Sequence, residues 1–176
     1  MSTPQLSKLV KVIHSNTGDF SSKLISLVDR EPGSLLTPIA GSVRTDSRAY
    51  TSVQISESAD IELNSDLVFA NHSCSPSVIF DMENFEVRVV AHRALRAGEE
   101  VTFFYPSTEW EMQQPFECRC GSQKCLGLVR GAKFMDDDVL RRWWLNGHVE
   151  RLLAARRKGG MESNGVPSTG VEINGI

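Results

Sequence analysis

Up to Tyr105 the chain alternates short apolar runs with clusters of turn-forming residues. Residues 9–13 (LVKVI) and 22–28 (SKLISLV) are apolar and rich in β-branched side chains, with Asn16, Thr17, Gly18 and Asp19 between them. That spacing predicts a hairpin. A second turn at Glu31-Pro32-Gly33-Ser34 leads into a short, mostly apolar run at 35–39, and the polar stretch 42–50 reads as a loop. Residues 52–55 and 61–63 are strand candidates, and 67–70 (LVFA) run straight into Asn71-His72-Ser73-Cys74. Residues 77–81 and 85–91 predict two strands joined at Glu83-Asn84; Phe85, Val87 and Val89 alternate with Glu86 and Arg88, as on a half-buried strand. A turn at Arg96-Ala97-Gly98-Glu99 precedes a last strand candidate, 101–105 (VTFFY). Many short strands with frequent turns indicate a mainly β fold.

The pattern changes after Pro106. Residues 115–125 form a compact loop with three cysteines, and from Asp136 onward Val139, Leu140, Trp143, Trp144, Val149, Leu152 and Leu153 recur at helical spacing. Asp136, Asp137 and Asp138 suit a helix start, and Arg156, Arg157 and Lys158 its end. Asn146-Gly147 is placed to divide the stretch into two helices, and Trp143 and Trp144 are expected to pack on the core. The arginines of this segment read as a solvated face, and the Gly-, Ser- and Asn-rich residues 159–176 predict a disordered tail. The resulting division is 8–106 for a β domain, 107–132 for a cysteine loop, 133–158 for a helical segment and 159–176 for the tail.

The 176 residues suit one domain, and 40 % hydrophobic with 23 % charged residues is ordinary for a chain with a full core. A net charge of −3 gives no general attraction to nucleic acid or acidic lipid, so nucleic acid is disfavoured as a partner. No apolar run reaches the roughly 18 residues that span a bilayer. The first ten residues carry neither a basic start with an apolar run nor a small-residue cleavage site, which predicts an unsecreted protein of the cytoplasm or nucleus. In that reducing setting the four cysteines point to metal or catalysis before disulfides.

Cys118, Cys120 and Cys125 form C-x-C-x4-C, with Gly121 allowing the chain to turn. Structural zinc takes four ligands in a tetrahedron, and thiolates suit it. A site closed by Cys74 would use every cysteine and pin the loop onto the β region. The alternative is four buried or free thiols, the usual state of isolated cysteines.

Three segments together resemble one family. Asn71-His72-Ser73-Cys74-Ser75-Pro76-Ser77 is similar to the NHSC-x-PN signature of SET domains. Gly98-Glu99-Glu100-Val101-Thr102-Phe103-Phe104-Tyr105 resembles their GEELTYDY segment, and 118–125 their post-SET cysteine motif. The order and spacing match, and Pro106-Ser107-Thr108-Glu109-Trp110 is similar to a group of small, free-standing fungal SET proteins. The resemblance implies a SET-domain (β-clip) fold with a pseudoknot and an S-adenosylmethionine-dependent lysine methyltransferase. By it, Asn71 and His72 hold the methyl donor, Tyr105 is the catalytic tyrosine, and Phe103 influences how many methyl groups are added. Cys74, Cys118, Cys120 and Cys125 hold a structural zinc, and Leu126 and Leu128 help cover the cofactor. The family's first motif, G-x-G, corresponds to Asn16-Thr17-Gly18, so Asn16 and Gly18 fall at the cofactor. Phenylalanine at 103 lacks a hydroxyl to hold water in the channel, which predicts more than one methylation.

Other readings remain open at the level of sequence. A tyrosine closing an apolar strand is usually a core residue, and an Asn-His pair is usually a polar turn. His14, His92 and His148 have no assigned role. The stretch between Gly41 and Asn71, which in the family helps form the substrate groove, is short, and Ser77 stands where asparagine is usual. A lysine-containing protein or peptide is the expected substrate. A small-molecule catalyst of secondary metabolism, or a binding module without catalysis, are the alternatives.

Overall fold

The computed structural model describes residues 5–16 and 21–162. Gly18 and the predicted tail at 163–176 lie outside the described residues. The chain begins with the expected hairpin: β1 (Val10–Ile13) pairs antiparallel with β2 (Lys23–Ser26), Val10 opposite Ser26. The run at 35–39 gives β3 (Leu35–Pro38). Residues 42–50, read as a loop, contain instead a strand, β4 (Val43–Thr45). Its register comes from pairing along the edge of β6 (Ala59–Glu62), whose other edge carries β5 (Ser52–Ser56). Val43 is 58 % exposed, so burial leaves no apolar signature for that strand.

A 3-10 turn at Asp66–Phe69 drops the chain into β7 (Asn71–His72). β8 (Val78–Asp81) and β9 (Glu86–Val89) form the second predicted hairpin, and β3 completes a three-stranded sheet in the order β3-β9-β8. Val87 and Val89 are buried as the alternation requires. Phe85 is not part of the strand: with φ of 54° it belongs to the turn and is 38 % exposed. The predicted strand at 101–105 shortens to β10 (Thr102–Phe103), because Tyr105 opens a 3-10 turn, Tyr105–Ser107, with Pro106 inside it. β10 pairs with β7 in parallel, and the amides of Ser73 and Ser77 donate to Phe103 O and Thr102 O, both at 3.0 Å. This crossing of two distant segments lies where the pseudoknot is expected. Ser77 fits it without the usual asparagine: its buried hydroxyl accepts from Thr102 N (2.8 Å) and donates to Glu100 O (3.0 Å).

The main core gathers Leu9, Leu24, Leu36, Ile61, Leu67, Phe80, Val87, Leu95 and Phe103 between these sheets. A smaller core of Phe104, Ala132, Leu140, Val149 and Leu153 forms where the C-terminal segment packs. That segment holds β11 (Phe116–Glu117) and β12 (Leu128–Val129), which pair antiparallel, then α1 (Asp137–Leu140) and α2 (Gly147–Glu162). Asn146 breaks the two helices as its position suggests, and α2 continues through residues 159–162, which sequence placed in the tail. Trp143 stacks on Phe104 at 4.3 Å, whereas Trp144 is 41 % exposed and does not join the core. The arginines are not all a solvated face: Arg156 donates to Lys133 O (2.8 Å) and Met135 O (3.1 Å), and Arg156 and Arg157 both pair with Asp137. These contacts tie the end of α2 to the start of α1.

Candidate active site and metal centre

The β7–β10 crossing brings together the residues that the sequence singled out. Asn71 and His72 form β7, Phe103 ends β10, and Tyr105 follows two residues later. The Tyr105 hydroxyl donates to the carbonyl of Ala70 at 3.1 Å, just before β7. Burial, with the nearby charges of Glu109 and Glu100, pushes the tyrosine pKa far above its usual range. Tyr105 therefore keeps its proton and acts as a hydrogen-bond group rather than a base. Phe103 stacks on Phe80 at 4.1 Å and lies 4.7 Å from the Tyr105 ring.

His72 is buried, and desolvation lowers its pKa to about 4, so the ring is neutral near pH 7. Its Nδ1 accepts from the Tyr105 amide (3.1 Å), which leaves the hydrogen on Nε2, 3.3 Å from Cys74 Sγ. One imidazole thus links the backbone of the tyrosine to the cysteine cluster. The Asn71 amide donates to Ser22 O (2.9 Å) and Glu100 Oε1 (3.0 Å), anchoring β7 to the chain entering β2. With both amide hydrogens engaged there, its Oδ1 has no hydrogen bond among the described residues. Asn16 is exposed, just past the end of β1.

The four sulfurs of Cys74, Cys118, Cys120 and Cys125 all lie within 4.8 Å of one another. Cys74 Sγ and Cys118 Sγ are 3.9 Å apart. A tetrahedron with metal–sulfur bonds of about 2.3 Å has an edge of about 3.8 Å, whereas a disulfide brings sulfurs to about 2.05 Å. The donor set fits a thiophilic divalent cation. The loop is shaped for it: the Cys118 amide donates to Gly127 O, and the Leu126 amide to Cys74 Sγ (3.4 Å). Burial lifts the Cys74 thiol to about 11 and raises Cys118 as well, a resistance to ionisation that a bound cation overcomes. Trp143 Nε1 donates to Cys74 O (3.0 Å), so the helical segment also bears on the centre. Leu126 is half-buried against the smaller core, and Leu128 on β12 is 56 % exposed.

Several residues at the site had no sequence signal of their own. Phe116, on β11, sets its ring edge-on to His72 (5.7 Å) and Tyr105 (6.0 Å). Its place two residues before Cys118 is the feature that could have drawn attention to it. His148 is buried with Nε2 2.7 Å from Thr108 O. Glu109 lies one turn beyond Tyr105, and its pKa is raised to about 7, chiefly by burial.

A family model described as SET domain matches residues 10–106. Methyltransferase flvH of Aspergillus flavus is 49 % identical over 154 residues, covering 88 % of this chain and 86 % of the relative. The chain belongs to the SET-domain family. More distant relatives include the H3 lysine-36 specific histone-lysine N-methyltransferase of Chaetomium globosum, 36 % identical over 67 residues, 36 % of this chain and 7 % of that protein. Histone-lysine N-methyltransferase ash1 of Drosophila melanogaster is 32 % identical over 75 residues, 39 % of this chain and 3 % of that protein. The shared part is thus a small fraction of those large enzymes. This SET protein is a methyltransferase, with a mainly β fold, a C-terminal helix and a four-cysteine cluster able to hold a metal. No helix among its described residues is long and apolar enough to cross a membrane.

Proposed function

We propose that this SET protein methylates a lysine side chain of a protein with S-adenosylmethionine, and that zinc at the four cysteines holds the site in shape. The observation carrying the proposal is the junction at β7 and β10, where Tyr105, Asn71, His72 and Phe103 converge. When bound, S-adenosylmethionine supplies the methyl group from a sulfonium. The work left to the protein is alignment of a neutral amine with that methyl, and exclusion of water. The Ala70 carbonyl and the protonated Tyr105 hydroxyl suit the first task, as fixed dipoles at the head of the channel. Phe103 and Phe116 suit the second, as apolar groups packed around Tyr105. Asn71 and His72, with Asn16 and Gly18, are the donor-binding residues of this reading, and Leu126 and Leu128 its cover. Residues 8–106 then carry the catalytic domain, 107–132 the metal loop and 133–158 a helical brace.

Calorimetric titration of zinc-replete protein with S-adenosylmethionine tests the donor site. Binding is expected in wild type and Tyr105→Phe and lost in Asn71→Ala. Absence of binding by folded wild type sinks the methyltransferase chemistry assigned to these residues. Transfer of labelled methyl to histone H3 peptides, with product masses, then tests the acceptor; labelling of free amines but no peptide would move the acceptor to a small molecule. Di- or trimethyl products are expected because Phe103 has no hydroxyl to hold water beside the amine, and a product limited to one methyl overturns that part.

A further inference from the structure

The Glu109 carboxyl is a buried acid that nothing above uses. The amides of Thr108 and Glu109 both donate to Tyr105 O, at 3.0 and 2.9 Å, so Glu109 stands one tight turn from the tyrosine. Its Oε1 is fixed from two sides: it accepts from Gln54 N (3.0 Å) and from Thr108 Oγ1 (3.1 Å), and both residues are buried. Among the described residues its Oε2 has no hydrogen bond and no ion pair. The fully buried side-chain polar atoms without a partner, among the described residues, are Ser65 Oγ and His148 Nδ1. Glu109 Oε2 is not among them. The cation nearest in influence, Arg48, is engaged elsewhere, with Asp60 (3.2 Å) and Glu111 O (3.2 Å). Glu109 is thus a held, half-free and unneutralised carboxyl whose charge is felt at the Tyr105 hydroxyl.

A free oxygen beside the tyrosine is suited to a cation with protons to give. We propose that Glu109 binds the ammonium form of the substrate amine and takes its proton. The inference rests on the amine-methylation reading above. In the step, one ammonium N–H bond breaks and an O–H bond forms on Oε2. The electron pair stays on nitrogen as the lone pair that methylation requires, and the proton later leaves to water. An alkylammonium has an ordinary pKa of about 10.4 and is no nucleophile until this happens. An acceptor balanced near neutrality is suited to the task, and burial holds Glu109 at about 7. The charged groups around it are Asp60, which raises it further, and Arg48, which lowers it, with Glu100 and Tyr105 on the β10 side and His148 behind Thr108.

Glu109→Gln isolates the charge, because an amide oxygen still accepts from Gln54 N and Thr108 Oγ1. The probe is n-butylammonium, the isolated lysine side chain, titrated by NMR into protein loaded with S-adenosylhomocysteine; n-butanol is the neutral control of equal length. Glu109→Gln is expected to weaken n-butylammonium by about tenfold or more, with n-butanol and S-adenosylhomocysteine unchanged. In protein labelled with carboxyl-13C glutamate, one carboxyl titrating near pH 7 should be present in wild type. It should move to lower pH with n-butylammonium and be absent from Glu109→Gln and Glu109→Ala. Equal n-butylammonium affinity in wild type and Glu109→Gln, no affinity in wild type, or no glutamate titrating near neutrality overturns the assignment. Loss of S-adenosylhomocysteine binding with n-butylammonium binding intact would instead remove the methyltransferase reading and leave the amine site standing.

Discussion

The main β core and the cysteine loop lie side by side and are held by different forces. Leu24, Val78, Phe80 and Val87 in the core are fully removed from water, the first on the β1-β2 hairpin and the other three on the β3-β9-β8 sheet. In the loop, Cys125 is exposed, Cys118 and Cys120 are half-exposed, and the only ladder is the two-residue pairing of β11 with β12. Apolar burial stabilises the first region without help. The second has four sulfurs in place of a core, in a geometry that fits a cation. The comparison teaches that solvent exclusion folds the scaffold, while the loop carries a cluster of sulfurs able to hold a metal where a core would otherwise stand.

Metal removal is the largest break in that comparison. Purified protein should contain one zinc per chain by elemental analysis, and Cys118→Ser should lose it. Structural zinc contributes about 10–16 kcal/mol in small domains, so chelation should open residues 116–129 to hydrogen exchange while the β3-β9-β8 sheet stays protected. Equal protection of the loop with and without chelator would mean that coordination does not hold it. His72 makes the break felt at the tyrosine, since the same ring contacts Cys74 Sγ and the Tyr105 amide.

Phe80→Ala attacks the other side. Phe80 has no exposed surface and stacks on Phe103, so truncation should cost about 3–5 kcal/mol in urea unfolding. Zinc content should not change. Coupled loss of metal and core stability in this variant would show that the two regions fold as one unit.

Asn146 sharpens the boundary between the core and the C-terminal segment. Its buried side chain accepts from Met82 N (2.8 Å) and donates to Phe80 O and Ser107 O, both at 2.9 Å. Asn146→Ala strands these backbone groups, at about 1–3 kcal/mol for each buried group left unpaired. A lowered melting temperature with zinc retained is expected, and hydrogen exchange should report early opening of α2. An unchanged melting temperature would mean that water replaces the lost bonds.

Much of this arrangement was legible because burial writes a pattern. Val87 and Val89 show the two-residue period, and the run at 22–28 became β2 with Leu24, Ile25 and Ser26 all buried, while β1 buries Val10 and leaves Lys11 and Ile13 exposed. Cys74 was separable from an ordinary buried thiol only through the company of the cysteine motif. What escaped has no apolar signature. β4 is an edge strand stabilised by backbone pairing, and Phe85 looks like strand but occupies a positive-φ turn. Glu109 and His148 are polar side chains whose importance comes from what folds over them. No local pattern marks a carboxyl that will be half-satisfied beside a tyrosine.

His148 carries the smallest expected effect and separates acid sensitivity of the scaffold from that of the metal loop. Its Nε2 meets Thr108 O while Nδ1 is buried without a partner, and burial is the main cause that lowers its pKa below 6.5. The hydrogen bond to Thr108 O opposes that shift, as do Glu83 and Asp60, while Arg151 adds to it. With the folded pKa depressed, the unfolded chain binds the extra proton first as pH falls. Stability is therefore whole above about pH 6.5, the unfolded value, and declines below it until the folded value is passed. His148→Gln keeps a donor for Thr108 O and cannot titrate, so its melting temperature should fall less than that of wild type between pH 6.5 and the folded value. Acid release of metal affects both proteins alike and cancels in the difference. Parallel melting curves for the two across that range would mean that His148 takes up its proton as readily in the fold as in the unfolded chain, and would leave the cysteine loop as the acid-sensitive region.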